Sequence, residues 1–205
     1  MISLRAAMVV ILLLAVAVAA CGGSGGAATS PTPSVCAEPS AASSTVGGQA
    51  SPPPGAADPE ALIPDTVGDV ALQKMSMQGN EFANSASASA EAQEFLRNLG
   101  VSPDDVSVAI GFGLSADSCQ AVAVFAFRAV GADSGQLMEA MRQAIDAKSH
   151  TPLTWESATV GGKSVQRTSN ADRQGMTYLY VTGDLLIFVA TTNEADAAEV
   201  LAGMP

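Results

Sequence analysis

Two stretches of this sequence are apolar on both alternations of a β-strand, and they restrict the fold more than any other feature. In the first, Phe125 and Phe127 occupy one alternation, while Val122 and Val124 occupy the other. Residues 185–189 are also apolar on both alternations. A sheet with helices on one side needs only one apolar face. We therefore expect a sheet whose central strands are covered on both faces.

The cover of the second face is left open by the sequence, and three candidates exist. The first is a helix or loop of the same chain, such as residues 78–100, and ordinary packing favours it. The others are a second copy of the domain and an apolar ligand. A second copy or an apolar ligand would contact the sheet at Phe125, Phe127 and Phe188, which are therefore the candidate residues of a ligand-binding or interface surface.

The remaining patterns predict one α+β domain over residues 58–205, built on a largely antiparallel sheet of about six strands with three helices. Strand patterns lie near Val67–Met77, Val106–Leu114, Gln120–Val130, Leu153–Thr159, Lys163–Ser169, Met176–Thr182 and Leu185–Thr192. Helix patterns end near Leu99, begin after the N-cap Asp133, and begin after the N-cap Asn193.

One segment of the predicted domain echoes another. Thr66–Ser76 aligns with Thr159–Ser169, with five of eleven positions identical. Each segment is followed by a predicted hairpin and then a helix, with an additional helix in the first half. An internal strand–hairpin–helix duplication would explain the echo, and so would chance; we favour duplication.

The residues before the domain have a different composition. Residues 22–57 contain seven glycines, six prolines and a single charge, Glu38. Such a segment cannot bury enough apolar surface to offset its chain entropy. The sequence therefore predicts that residues 21–57 form a disordered tether rich in Gly, Ser, Pro and Ala.

The N-terminus has the pattern of an export signal. In residues 1–20, one positive charge, Arg5, precedes the uncharged apolar run Ala6–Ala20. A run of 15 residues is short for a spanning helix and typical of the apolar core of a signal peptide.

The end of this run resembles the bacterial lipobox. Val18, Ala19 and Ala20 supply a branched residue and two small ones, and Cys21 follows. The resemblance implies that a peptidase recognises these three residues and cuts before Cys21, which carries a diacylglyceryl group. It implies a protein lipid-anchored to the extracytoplasmic face of a cell membrane. The alternative is an ordinary secretory signal in which Cys21 is incidental.

Two cysteines, Cys36 and Cys119, remain after lipidation. Outside the cytoplasm an even pair of thiols predicts one disulfide. A Cys36–Cys119 bond would hold the middle of the tether to the domain. Two independent thiols, or pairing of Cys36 with a second chain, remain alternatives.

Charge and motif content restrict the function. Cleavage removes Arg5 and no acid, which leaves 8 basic and 20 acidic residues, so nucleic acid is not expected as a partner. His150 is the only histidine, and no catalytic, metal or cofactor pattern is recognisable. The favoured function is a membrane-anchored, surface-displayed lipoprotein that is a non-enzymatic binding or envelope-associated protein, with an unknown envelope protein or an apolar ligand as its partner. A carrier of an apolar ligand is the alternative, and an enzyme of unreadable class is third.

Overall fold

The sheet strands follow the alternating patterns closely. The structure is a computed structural model that describes residues 58–85, 89–115, 120–149, 151–169 and 175–205. Its strands are β1 Thr66–Val67, β2 Val70–Ala71, β3 Gln73–Gln78, β4 Val106–Leu114, β5 Ala121–Ala129, β6 Glu156–Val160, β7 Lys163–Ser169, β8 Met176–Thr182 and β9 Leu185–Thr191. β1 and β2 form a hairpin. The other seven strands form one antiparallel sheet in the order β3-β4-β5-β9-β8-β7-β6.

Five α-helices accompany the sheet in the described part of the chain. They are α1 Pro59–Leu62, α2 Gly79–Ala83, α3 Ser89–Leu99, α4 Ser134–Asp146 and α5 Glu194–Ala202. The predicted caps are confirmed: the Asp133 carboxylate accepts from the first-turn amides of α4, and the Asn193 side chain accepts from Ala195 N in α5. The α+β class and the antiparallel sheet are therefore as predicted.

Helices cover both faces of the large sheet. On face A, α2, α3 and α4 pack over Phe127 and Leu186. On face B, α1, α5 and the β1–β2 hairpin pack over Val124 and Ile187. The two apolar alternations thus belong to two separate cores. Helices α2 and α3 supply much of the cover on face A, and both lie within the segment 78–100 that the sequence favoured as the cover.

The two echoing segments form hairpins with the same register. β1 pairs with β2 as β6 pairs with β7; the matching pairs are Thr66↔Ala71 with Thr159↔Ser164, and Val67↔Val70 with Val160↔Lys163. Gly68 and Gly161 occupy equivalent turn positions with φ of 54° and 58°. Both turns lie on α5, since Gly68 N donates to the Glu199 carboxylate, and Gly161 lies against the backbone of Ala198.

The halves differ in other respects from the predicted repeat. α4 and α5 each follow a hairpin, yet α4 packs on face A and α5 on face B. The predicted strand Val67–Met77 is instead β1, β2 and β3. Leu72 N donates to Asp65 O, one step beyond the Thr66↔Ala71 pair of the hairpin, and the Leu72 side chain is buried. The short helices α1 and α2 were not predicted, because four or five residues are too few to show helical periodicity.

Candidate functional site

Four neighbouring strands bring six apolar side chains into one patch on face A, which we call the apolar strip. Its members are Met75, Ile110, Phe112, Leu114, Phe125 and Phe188. One row crosses the sheet through direct pairs: Met75 with Ile110, Ile110 with Phe125, and Phe125 with Phe188. Phe112 and Leu114 follow at alternate positions of β4, so their side chains point to the same face.

The apolar strip is incompletely covered by the helices. Met75 is 43% exposed and Leu114 is 49% exposed, while the other four members are half-buried. The adjacent row on the same face is different, because Val108, Phe127 and Leu186 are all fully buried. The helices therefore bury the row through Phe127 and leave the neighbouring row, which belongs to the apolar strip, partly exposed on face A.

The three phenylalanines predicted from the sequence lie on one face, as expected, but in different environments. The Phe127 ring packs edge-on against Phe82 and Phe95, with centroid distances of 6.0 and 5.4 Å. Phe125 stacks beside Phe127 at 6.2 Å and, with its cross-strand partner Phe188, stays half-buried. Phe127 is thus a core residue under the chain's own helices, and only Phe125 and Phe188 belong to an accessible surface.

Sequence reasoning missed the members of the apolar strip outside those phenylalanines. Ile110, Phe112 and Leu114 are apolar at alternate positions of β4. That pattern predicts a common face but not which end of it the helices leave open. Met75 was not singled out, because its exposure depends on β3 being the outermost strand.

An open groove lies between helices α3 and α4. This groove has a volume of about 420 Å³, and five of its seven lining residues are polar; the lining comprises Asn98, Asp133, Gly135, Gln136, Glu139, Ala140 and Gln143. Asp133 caps α4 and Glu139 pairs with Arg142, so both carboxylates already have partners on their own helix. We therefore regard the groove as a surface between packed helices.

A buried tyrosine lies beside a charged cluster on face B. The Tyr178 side chain is fully buried; its hydroxyl lies close to the Glu194 carboxylate, but no group in the described chain meets it at full hydrogen-bonding geometry. Burial raises the pKa of the Tyr178 phenol, the nearby Glu194 carboxylate raises it further, and Arg167 opposes the rise. Arg167 pairs with Glu194 and Glu156 at 3.4 and 3.5 Å. A tyrosine with a raised pKa stays protonated at neutral pH, which suits a hydrogen-bond donor and not a base.

Asp196 is a buried acid whose partners account for its burial. Its carboxylate accepts hydrogen bonds from the side chains of Gln120, Thr191 and Asn193. Hydrogen bonds of this kind compensate the cost of burying a charge. Asp196 therefore ties α5 to the end of β9 and to the residue before β5.

Several predicted features lie outside the described residues: the signal peptide, the tether, Cys21, Cys36, Cys119 and His150. Within the stretches the structure does describe, no group of three or more His, Cys, Asp or Glu side chains is arranged to hold a metal ion. In the same stretches, no helix combines the length and apolar character needed to cross a bilayer. Comparisons with protein-family models, curated proteins and solved structures return no match.

Proposed function

We propose that this chain is a lipoprotein anchored through Cys21 to the extracytoplasmic face of a bacterial membrane, and that its domain acts by binding through the apolar strip. Export and anchoring are supported by the lipobox-like Val18-Ala19-Ala20-Cys21. One observation supports the binding role. Two of the three large apolar side chains exposed in the described chain belong to the strip: Met75 ends the row across face A, and Leu114 lies four residues beyond Ile110 on β4.

The apolar strip fits binding better than core packing alone. Apolar side chains scattered singly on a surface need no explanation, whereas contiguous ones mark interaction sites. The third exposed apolar residue, Val130, follows the end of β5 and lies outside the strip. The partner is an envelope protein with an apolar contact surface. A small apolar ligand is the second candidate, favoured by the aromatic pair of Phe125 and Phe188 at the centre of the row.

The anchor is tested by Cys21→Ser expressed in the native host. The variant should be released into the medium or remain as an unprocessed precursor, because the lipid acceptor is missing. Cys36→Ser is the matched control and should stay membrane-bound at the mature size. Membrane attachment of Cys21→Ser at the mature size would contradict lipidation.

The binding surface is tested with the neutral, environment-sensitive dye Nile red and the unlipidated chain from Gly22 onward. Leu114 is about half exposed, so covering the remainder contributes about 1 kcal/mol, or about fivefold in Kd. Leu114→Ser and Phe125→Ser should each weaken dye binding by at least that factor. Val130→Ser removes an equally exposed apolar side chain, 48% against 49%, and should change nothing. Equal dye affinity in all three variants would refute the assignment of the surface.

The two candidate partners are separated by native mass spectrometry of the lipidated chain, purified gently from its host. A co-purifying small apolar mass that Phe125→Ser loses identifies a carrier. A chain without such a mass, whose dye binding still follows the strip variants, identifies a protein partner.

A further inference from the structure

The outer edge of strand β3 is open to main-chain pairing. β3 ends the seven-stranded order and pairs with β4 over six consecutive residues, from Gln73 to Gln78. Across the described stretches, no other strand pairs with its outer side, and no backbone hydrogen bond from a turn or loop reaches it. An edge strand presents unpaired N–H and C=O groups, which form a template for another strand.

β3 lacks the features that usually protect an edge. It contains no proline, and its register with β4 is continuous without a bulge. Its one charge is Lys74, whose ammonium is held at 2.8 Å by Ile63 O and at 2.6 Å by Asp65. The ammonium is therefore turned to face B and does not guard the edge. The opposite edge strand, β6, is shorter and begins with the charged Glu156.

The side chains of β3 specify what a neighbouring strand should carry. Met75 is 43% exposed and Met77 is half-buried, and both lie on face A. Between them, Ser76 is exposed on the other alternation. A strand added to this edge would place alternate side chains beside the two methionines and the intervening ones beside Ser76. Apolar residues alternating with small polar ones fit this arrangement.

Acidic residues lie beyond one end of the edge. At the other end, near Gln73, Asp65 is already paired with the Lys74 ammonium at 2.6 Å. Beyond Gln78, Glu81 accepts from Gln78 N, and Asp104 is bonded to Asn80. Residues 70–80 themselves contain no acid, although the chain carries a net charge of −11. Charge complementarity therefore favours a segment with basic residues at the end that lies beside Gln78.

The size of the edge favours a short segment over a folded partner. Six strand residues span roughly 20 Å. One added strand would therefore contact an area on the order of 200 Å² along this edge. A stable protein–protein interface buries about 800 Å² on each partner. A second copy pairing through β3 would fall well below that area, and both copies would carry the same net negative charge.

We propose that the β3 edge binds an extended segment of another protein by strand addition, a segment of about six residues that alternates apolar and small polar side chains and carries basic residues at the end beside Gln78. Because Gln78 N already donates to Glu81, the backbone of Gln73–Met77 supplies the main-chain pairing, and Met75 and Met77 contact the alternate side chains. Of the apolar strip, only Met75 takes part, so this site stands independently of ligand binding at Leu114, Phe125 and Phe188.

The test uses a labelled synthetic peptide, Lys-Lys-Val-Thr-Val-Thr-Val-Lys-Lys, and the unlipidated chain from Gly22 onward. The control peptide has proline at the central valine, which removes a main-chain donor. Fluorescence anisotropy should show binding of the first peptide and at least tenfold weaker binding of the second. Met75→Lys should weaken binding of the first peptide at least tenfold, whereas Val130→Lys should not.

Hydrogen exchange locates the bound peptide. Bound peptide should slow amide exchange in residues 73–78 and leave the other edge, residues 156–160, unchanged. Leu114→Ser should keep peptide binding while it weakens Nile red binding, which separates this site from the apolar strip. Three results would overturn the proposal: equal binding of the proline peptide, loss of peptide binding in Leu114→Ser, or slowed β3 exchange with rising protein concentration and no peptide, which would mean a second copy.

Discussion

Neighbouring glycines in the β6–β7 turn separate backbone strain from steric contact. Gly161 and Gly162 both have positive φ, 58° and 77°. A Cβ added at Gly162 would meet nothing within 4 Å. A Cβ at Gly161 would lie 2.4 Å from the Ala198 carbonyl oxygen and 2.8 Å from the Ala202 amide nitrogen. Because both atoms belong to the backbone of α5, the helix itself would have to move.

The two alanine substitutions should therefore differ in cost. Placing alanine in the left-handed region costs about 1 kcal/mol at either position. At Gly161 the displacement of α5 adds about 2 kcal/mol, the usual cost of overpacking a well-packed region. We expect Gly162→Ala to lower the free energy of unfolding by about 1 kcal/mol and Gly161→Ala by about 3 kcal/mol. The extra 2 kcal/mol corresponds to a Tm lower by about 4–8 °C for a domain near this size.

Urea unfolding of the chain from Gly22 onward, followed by circular dichroism, measures both variants. The midpoint should fall in the stated order, and the slope should stay unchanged because the surface exposed on unfolding is the same. Equal losses for Gly161→Ala and Gly162→Ala would refute the reasoning, since they would show that the turn does not rest on α5.

Three further predictions concern the core, a buried phenol and the thiols. Phe127→Ala should lower the free energy of unfolding by about 3–5 kcal/mol in urea, because the ring is fully buried; a loss below about 1 kcal/mol would contradict the packing on face A. Because burial and Glu194 raise the pKa of Tyr178 above its ordinary 10.0, the unfolded chain loses this proton first, and stability should fall as pH rises above about 10. Tyr178→Phe should remove that part of the fall; an unchanged pH profile would be the contrary result. Non-reducing mass analysis of protein from an oxidising compartment should show Cys36 linked to Cys119, and two freely alkylated thiols would end that prediction.

Much of the domain could be predicted because its elements are specified locally. β4, β7 and β8 begin and end where the apolar alternation predicts, and the helix starts after Asp133 and Asn193 follow from side chains that accept first-turn amides. The sequence similarity between Thr66–Ser76 and Thr159–Ser169 also has a structural counterpart, since each segment contains a glycine turn of a hairpin with the same register. These features depend on residues close in sequence.

The apolar residues of β5 and β9 determined by themselves that both faces of the sheet had to be covered. In both strands the side chains on each face are apolar, so neither face can be left in contact with water. Only the tertiary structure decided which side chains stayed accessible. Phe125 and Phe127 are two residues apart on one face, yet helices α2 and α3 bury Phe127 beneath Phe82 and Phe95 and leave Phe125 half-exposed. Helix positions and the order of strands arise from contacts between distant segments, and no local pattern encodes how far a helix extends over a sheet.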